Sequence, residues 1–275
     1  MVLITFVYFT GGERKELSAR AKKTFENSNH REKTLIRDHK IPVEKKEMPS
    51  QPITSKPKRK SPVIICIDPG HQQKADLSTE NIGPGSTVQK PKVTGGTQGI
   101  LTGKPEYKLT LEASIILGKF LEKKGFKVVF TRTTNKVNLS NKERAEFASR
   151  NRAALFIRIH ADGSTNRNVR GFSILTPSSK NPYTQTIYKD SLKASQFILD
   201  DVKEDGDVKV NGISFRDDLS GTNWSHVPAV LIEVGFMTNP IEDKNLSDQT
   251  YITHLMGDVA GGIADFASYK KELKD

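Results

Sequence analysis

The chain predicts an α/β fold, a single domain with a mostly parallel, twisted sheet flanked by helices, preceded by a disordered basic N-terminal segment. Three observations lead there. Short β-branched runs at residues 63–67, 154–159 and 228–232 are separated by longer stretches of helical period. Strands that alternate with helices read as crossover units of a parallel sheet. The basic and polar excess is gathered ahead of residue 62 rather than spread along the chain.

The elements follow in order. Residues 63–67 (Val-Ile-Ile-Cys-Ile) read as a short buried strand, bounded by Pro62. Asp68-Pro69-Gly70 then turns the chain and presents His71 just beyond the strand end. Residues 74–103 are rich in Gly, Pro and Thr without helical period, so an extended loop beside the site is expected. Residues 106–124 place Leu109, Leu111, Ile115, Ile116, Leu117, Phe120 and Leu121 on a broad helical face, with Pro105 suited to the first turn and Gly125 to the end. A strand at 127–130 follows, and Arg132 opens the next loop. Ser140-Asn141-Lys142-Glu143 has the form of a capping box for a helix to about Arg150. The strand at 154–159 delivers His160 at its end, and another strand is expected at 171–175. A long helix from about 183 to 202, a strand at 229–232 followed by Glu233, and a helix from about 249 to 269 complete the series.

Composition divides the 275 residues into three parts. Residues 1–12 begin with nine mostly apolar residues, too few to span a bilayer and lacking a basic start, which fits the remnant of an export signal or an apolar terminus without a targeting role. Residues 13–61 read as a disordered basic linker, with eight of the chain's +11 net charges and almost no aromatics to build a core. Residues 62–270 form the expected catalytic domain. Cys66 is the sole cysteine, which excludes a cysteine-based metal knuckle and an intramolecular disulfide.

A lone histidine after a strand is more often a turn residue than a ligand. Here two are released at the ends of separate strands, with Glu106 at a helix start and Glu233 after a third strand. Two histidines and two glutamates are what a hydrolytic zinc site requires: three protein ligands, an open position and a carboxylate base. Glu106, at a helix N-terminus, faces free backbone N–H groups that favour its ionised form, and on the residues alone it reads as an ordinary first-turn glutamate. Asp68 is expected to fix the turn or to orient His71 rather than to bind metal. Arg132 is a candidate for binding a substrate carboxylate or for a structural ion pair. Asn223 and Trp224, in a polar loop with the only tryptophan, are candidates for contacting substrate or for packing the loop.

Taken together, these motifs resemble those of the zinc-dependent N-acetylmuramoyl-L-alanine amidases of type 3, a family that includes sporulation and autolytic amidases of Gram-positive bacteria. The matching segments are Ile67-Asp68-Pro69-Gly70-His71, Glu106 within Gly103-Lys104-Pro105-Glu106-Tyr107, Val129-Phe130-Thr131-Arg132, Ile159-His160-Ala161-Asp162, and Glu233-Val234-Gly235-Phe236-Met237-Thr238-Asn239-Pro240. They span about residue 62 to about residue 268. The resemblance implies one zinc ion on His71, Glu106 and His160, and Glu233 as the catalytic glutamate. It further implies an exported peptidoglycan hydrolase cutting between N-acetylmuramic acid and the L-alanine of the stem peptide. The chain departs from the family's pattern at Gln72-Gln73, Arg158 and Asp162, which alters the rim of the site.

Three other readings compete, of which a degenerate, noncatalytic wall binder is argued against by the intact set of two histidines and two glutamates. The basic segment fits binding to anionic polymers: wall polymers are the economical partner, and specific nucleic-acid binding is not expected, because no aromatic-interleaved platform or base-reading helix accompanies the charge. A zinc peptidase acting on stem peptides would share the ligand set and differ in its products. The sequence leaves the oligomeric state open.

Overall fold

Residues Ile64–Pro69 form β1, and their alternation explains the layering of the molecule. Ile65 and Ile67 point to one face of the sheet, Cys66 and Asp68 to the other, and all four are buried. A strand buried on both sides belongs in the middle of a parallel sheet. The protein is described here from a computed structural model covering residues 62–204 and 206–273. The N-terminal segments 1–12 and 13–61 lie outside the described residues.

Six strands make the main sheet. They are β1, β4 (Lys127–Phe130), β5 (Leu155–Asp162), β6 (Phe172–Thr176), β7 (Val210–Phe215) and β8 (Ala229–Phe236), in the order β4-β1-β5-β8-β6-β7. All neighbours are parallel except β6 and β8, as the sequence predicted for a mostly parallel sheet. Three long helices cover one face: α1 (Glu106–Lys123), α3 (Tyr188–Glu204) and α6 (Gln249–Glu272). Their Leu109, Leu117, Leu121, Ile198, Met256 and Val259 pack on Ile65, Ile67, Ile157, Ile159, Val230 and Ile232. The opposite face packs Cys66, Phe156 and Ala229 against α2 (Asn141–Arg150) through Ala145 and Ala148. The expected capping box starts α2: Glu143 N–H donates to Ser140 Oγ at 3.1 Å, and Ser140 N–H to Glu143 Oε2 at 2.7 Å.

Several elements differ from the expectation. The loop expected at 74–103 contains an antiparallel hairpin, β2 (Asp76–Asn81) with β3 (Gln89–Val93). Only Glu80 and Val93 among its ten-odd strand residues are buried, so no apolar alternation announced it. β7 is an edge strand that mixes Val210, Ile213 and Phe215 with Asn211, Gly212 and Ser214 and has no buried residue, so it too gave no apolar alternation. The helix expected from 183 begins at Tyr188, because a hydrogen-bonded turn through Asn181 and Thr184 precedes it. Two short helices, α4 (Ser220–Asn223) and α5 (Pro240–Ser247), were also unforeseen. Finally, His160 and Glu233 lie inside β5 and β8 rather than beyond them, because the ladder continues to the Asp162–Phe236 pair past an irregularity after His160. Bulges of this kind re-aim side chains beside functional sites.

Candidate active site

The register of the sheet arranges the site in rungs. On the face away from the long helices, Cys66, Phe156 and Ala229 form an apolar rung, and Asp68, Arg158, Leu231 and Leu175 form the next. His160 and Glu233 stand side by side on the third. A cleft of about 290 Å³ opens over them, lined also by His71, Lys90, Thr94 and Arg216.

His71 reaches this rung from the turn after β1 with φ of 58°, a left-handed conformation rare outside glycine. Buried arginines hold the turn in place. Arg132 donates to the carbonyls of Pro69 and Gly70 at 2.9 Å, and Arg144 to those of Pro69 and His71 at 2.9 and 3.0 Å. His71 Nδ1 lies 2.8 Å from the carbonyl of Thr94. A carbonyl only accepts, so Nδ1 carries the proton and Nε2 turns its lone pair to the site.

Glu106 opens α1 and is buried. The expected partners were the free N–H groups of its own helix. Instead it accepts from Thr97 N–H at 2.9 Å through Oε2 and from Ala161 N–H at 3.1 Å through Oε1. Burial alone would raise its pKa. The hydrogen bonds and charges of His160 and His71 outweigh that and hold it well below the usual carboxylate range. For His160 burial dominates, and the imidazole falls to about 4, so it is neutral at pH 7.

These three side chains converge. Glu106 Oε1 lies 3.1 Å from His71 Nε2 and 3.2 Å from His160 Nδ1, and the two nitrogens are 3.2 Å apart. Ligands about 2.0 Å from a tetrahedral ion are separated by about 3.3 Å, so the triangle has the size of one face of such a coordination shell. Two glycines leave room for it. A Cβ on Gly70 would stand 2.5 Å from the His160 ring, and one on Gly96 would stand 2.6 Å from Glu106 Oε2. The residues present therefore fit a metal ion.

Glu233 remains apart from the triangle. It is half-buried in the cleft, and its Oε2 is shielded from solvent without a hydrogen-bond partner among the described residues. Burial, followed by the charges of Glu106 and Asp162, pushes its pKa well above the ordinary glutamate value. A carboxyl of high proton affinity beside a metal-sized cluster is suited to accepting and returning a proton.

The other sequence candidates are placed differently. Arg132 binds no carboxylate: it is buried, and its guanidinium also serves Tyr107 O, Thr110 Oγ1, Thr134 O and Asn135 Oδ1, so it braces the turn rather than facing substrate. Asn223 is buried and bonded to Asn181 Nδ2 and to the carbonyl of Asp217, which occupies its amide within the fold. Trp224 donates to Asn81 O at 2.8 Å and carries the Lys142 ammonium over its ring, so it pins the hairpin to α2. Asp68 does not touch the His71 ring. It bridges Arg144 and Arg158 at 2.8 and 2.9 Å. Of the departures, Gln72 is a buried latch between Asn138, Leu139 and Arg144, and Asp162 caps its own Gly163 N–H.

Sequence reasoning missed Thr94 and Thr97, whose backbone groups orient His71 and Glu106, and it missed Lys90 and Arg216 in the cleft wall. Backbone partners leave no residue-type signal. Arg158 was legible, since alternate residues of one strand share a face and it stands two before His160.

Comparison with known proteins agrees with this geometry. The family model described as N-acetylmuramoyl-L-alanine amidase matches residues 65–265. The N-acetylmuramoyl-L-alanine amidase Rv3717 of Mycobacterium tuberculosis is 28% identical over 219 residues, covering 74% of this chain and 87% of that protein. The probable cell wall amidase LytH of Staphylococcus aureus is 25% identical over 190 residues, covering 67% of this chain and 59% of LytH. The crystal structure of the amidase Ami1 from Mycobacterium smegmatis superposes with a TM-score of 0.69 at 25% identity, covering 75% of this chain and 97% of that one. The match runs from β1 through most of α6 and takes in every residue of the triangle together with Glu233: the chain belongs to the N-acetylmuramoyl-L-alanine amidase family.

Proposed function

We propose that this protein hydrolyses the amide between the lactyl group of N-acetylmuramic acid and the L-alanine of the stem peptide, with one zinc ion held by His71, Glu106 and His160. Family membership supports the bond. The observation that carries the site assignment is the triangle of donor atoms 3.1–3.2 Å on a side, opening on the cleft beside a half-buried Glu233 whose Oε2 has no partner among the described residues. Two imidazole nitrogens and one carboxylate suit zinc among the common divalent ions. When bound, the ion supplies Lewis acidity toward a carbonyl oxygen and toward water.

The chain's own groups do the rest. Glu233 takes the proton of the attacking water and hands it to the departing alanine nitrogen, so one carboxyl serves as base and then as acid. Its raised proton affinity suits it to hold the proton between the two steps. The Thr94 carbonyl fixes the tautomer of His71, and the N–H groups of Thr97 and Ala161 keep Glu106 ionised and aimed. Arg132 and Arg144 hold the His71 turn against its unfavourable φ.

Residues 62–270 are then the catalytic domain. Residues 13–61 are a basic linker that draws the protein to anionic wall polymers, and the protein acts outside the cell at the wall. The test is digestion of purified peptidoglycan followed by mass spectrometry. New L-alanine amino termini and intact glycan are expected, lost with a chelator and restored by zinc. Cuts inside the stem peptide or the glycan, or cleavage indifferent to the chelator, would overturn the reading.

A further inference from the structure

One rung below His160 and Glu233, the cleft floor carries a buried cation. Arg158 lies on the same face of β5, beside Leu231 of β8, and its side chain is 4% exposed. Its Nε donates to Asp68 at 2.9 Å and its Nη2 to Asn141 Oδ1 at 2.6 Å, while no hydrogen bond joins Nη1 to any described residue. Asp68 serves Arg144 as well, so two buried guanidinium groups share one carboxylate, and the charge of Arg158 also acts on Glu233 on the next rung. A guanidinium that lines a cleft with one donor not bonded by the protein can serve an anionic acceptor.

The adjoining wall repeats the signal. Arg216, just past the end of β7, forks Asp218 through Nε at 2.7 Å and Nη2 at 2.8 Å. Lys90 of β3 reaches the same carboxylate at 3.0 Å. Asp218 is thus a carboxylate already seated between cations from two separate elements, all of them partly solvent-exposed, where ion pairs are weak and exchange readily. Arg158, Arg216, Lys90 and Asp218 line the same cleft as His160 and Glu233.

Spacing supplies the scale. Alternate residues of a strand are about 7 Å apart, which an extended peptide covers in about two residues. With the scissile amide on the His160–Glu233 rung, a stem peptide running toward Arg158 brings there the residue after alanine, whose α-carboxylate is free where that residue continues the chain through its side-chain carboxyl. We propose that Arg158, Arg216 and Lys90 form a carboxylate subsite that selects stem peptides with a free carboxylate at the second residue over those amidated there, and that Asp218 fills this subsite in its absence. The proposal rests on the amidase reading above and adds the substrate class.

The experiment compares kcat/KM of the zinc-loaded full chain on two N-acetylmuramoyl pentapeptides, identical except for carboxylate or carboxamide at the second residue. A preference of at least about tenfold for the carboxylate is expected, carried mainly by KM, as befits a charge-assisted hydrogen bond. Arg216→Gln and Lys90→Gln, both at partly exposed positions, should keep the wild-type melting temperature and bring the ratio toward one. Asp218→Ser should lower KM for the carboxylate substrate only. Equal cleavage of both substrates by the wild type overturns the subsite and leaves the amidase reading standing. A ratio unchanged in both charge-neutral variants overturns it too. Failure to cut either substrate sinks the amidase reading, and the subsite with it.

Discussion

Replacing Glu233 by Gln separates the three things this residue does. The change conserves shape and removes one charge from a site where burial and the neighbouring charges of Glu106 and Asp162 already oppose ionisation. Turnover depends on the proton that the carboxyl carries, and general acid–base catalysis contributes about 10²–10⁴-fold, so kcat on peptidoglycan should fall by about that factor. Metal content should not change, because Glu233 stands outside the triangle of donors. Stability should move the opposite way from activity. The folded-state pKa of Glu233 lies above its unfolded value, so in metal-free wild type its contribution to stability is full below the unfolded value of about 4.3 and is lost as pH rises through the folded one. Glutamine does not titrate. The metal-free variant should therefore gain melting temperature relative to wild type as pH is raised from 4 to 8. Initial rates, metal analysis by emission spectroscopy and melting curves at two pH values read the three effects independently. Near wild-type turnover would refute the assigned role. Loss of metal would make Glu233 a ligand and pass the base to Glu106.

Other perturbations have equally definite outcomes. His71→Ala should abolish metal binding with the fold largely kept, since the ring lies beyond the strand end; one tightly held metal per chain would contradict the ligand set. Asp68→Asn strips the shared partner from Arg144 and Arg158, and breaking a buried pair costs about 3–5 kcal/mol. That is a fall of roughly 6–20 °C in melting temperature for a domain of this size. Because burial of Asp68 is outweighed by the two arginines and its pKa lies below the usual range, the gap between wild type and variant should be present above about pH 4 and close as the pH falls through the folded value. Gly96→Ala sets a Cβ against Glu106 at a φ of 76° and should weaken metal affinity about 10–100-fold, the range seen when a ligand's supporting contacts are lost. Gly95→Ala, with open space around it, is the control for a competition titration with a chelator. A chain lacking residues 1–61 should melt cooperatively and retain activity on soluble substrates; loss of the transition would assign those residues to the fold.

How much of this was legible depends on whether side-chain type or backbone geometry carries the information. β1, β5 and β8 announce themselves because strands buried on both faces need β-branched residues throughout, and α1 because its apolar face recurs at helical spacing. The capping box of α2 is written in side chains, and it formed as read. His71 and His160 stood out by residue type at strand ends, whereas Glu106 joined them through the family resemblance. What could not be read were the groups without side-chain identity: the Thr94 carbonyl and the Thr97 and Ala161 N–H groups. Arg132 shows the converse case, a residue whose type left a substrate contact and a structural role both open. Its donors are used on carbonyls of the turn that a straight reading of the chain leaves unsatisfied. The hairpin was hidden because a partly exposed two-stranded ribbon needs no apolar stripe.

The two sides of the cleft are fastened to the molecule very differently. β5 and β8 are flanked by strands on both edges, so their amides exchange with solvent only when the sheet itself comes apart. The hairpin pairs with nothing but itself, and among the described residues its ties to the body include the Trp224 indole on Asn81, the Asn141 amide on Lys92 and the Lys142 N–H on Glu80. It should open at a far lower free energy, and its deuterium uptake should run well ahead of the floor. Thr94 and Thr97 follow directly after β3, so each such opening pulls on the groups that orient His71 and Glu106. Opening of the entrance should therefore disturb the carbonyl and N–H groups that orient His71 and Glu106, and metal affinity should fall with it.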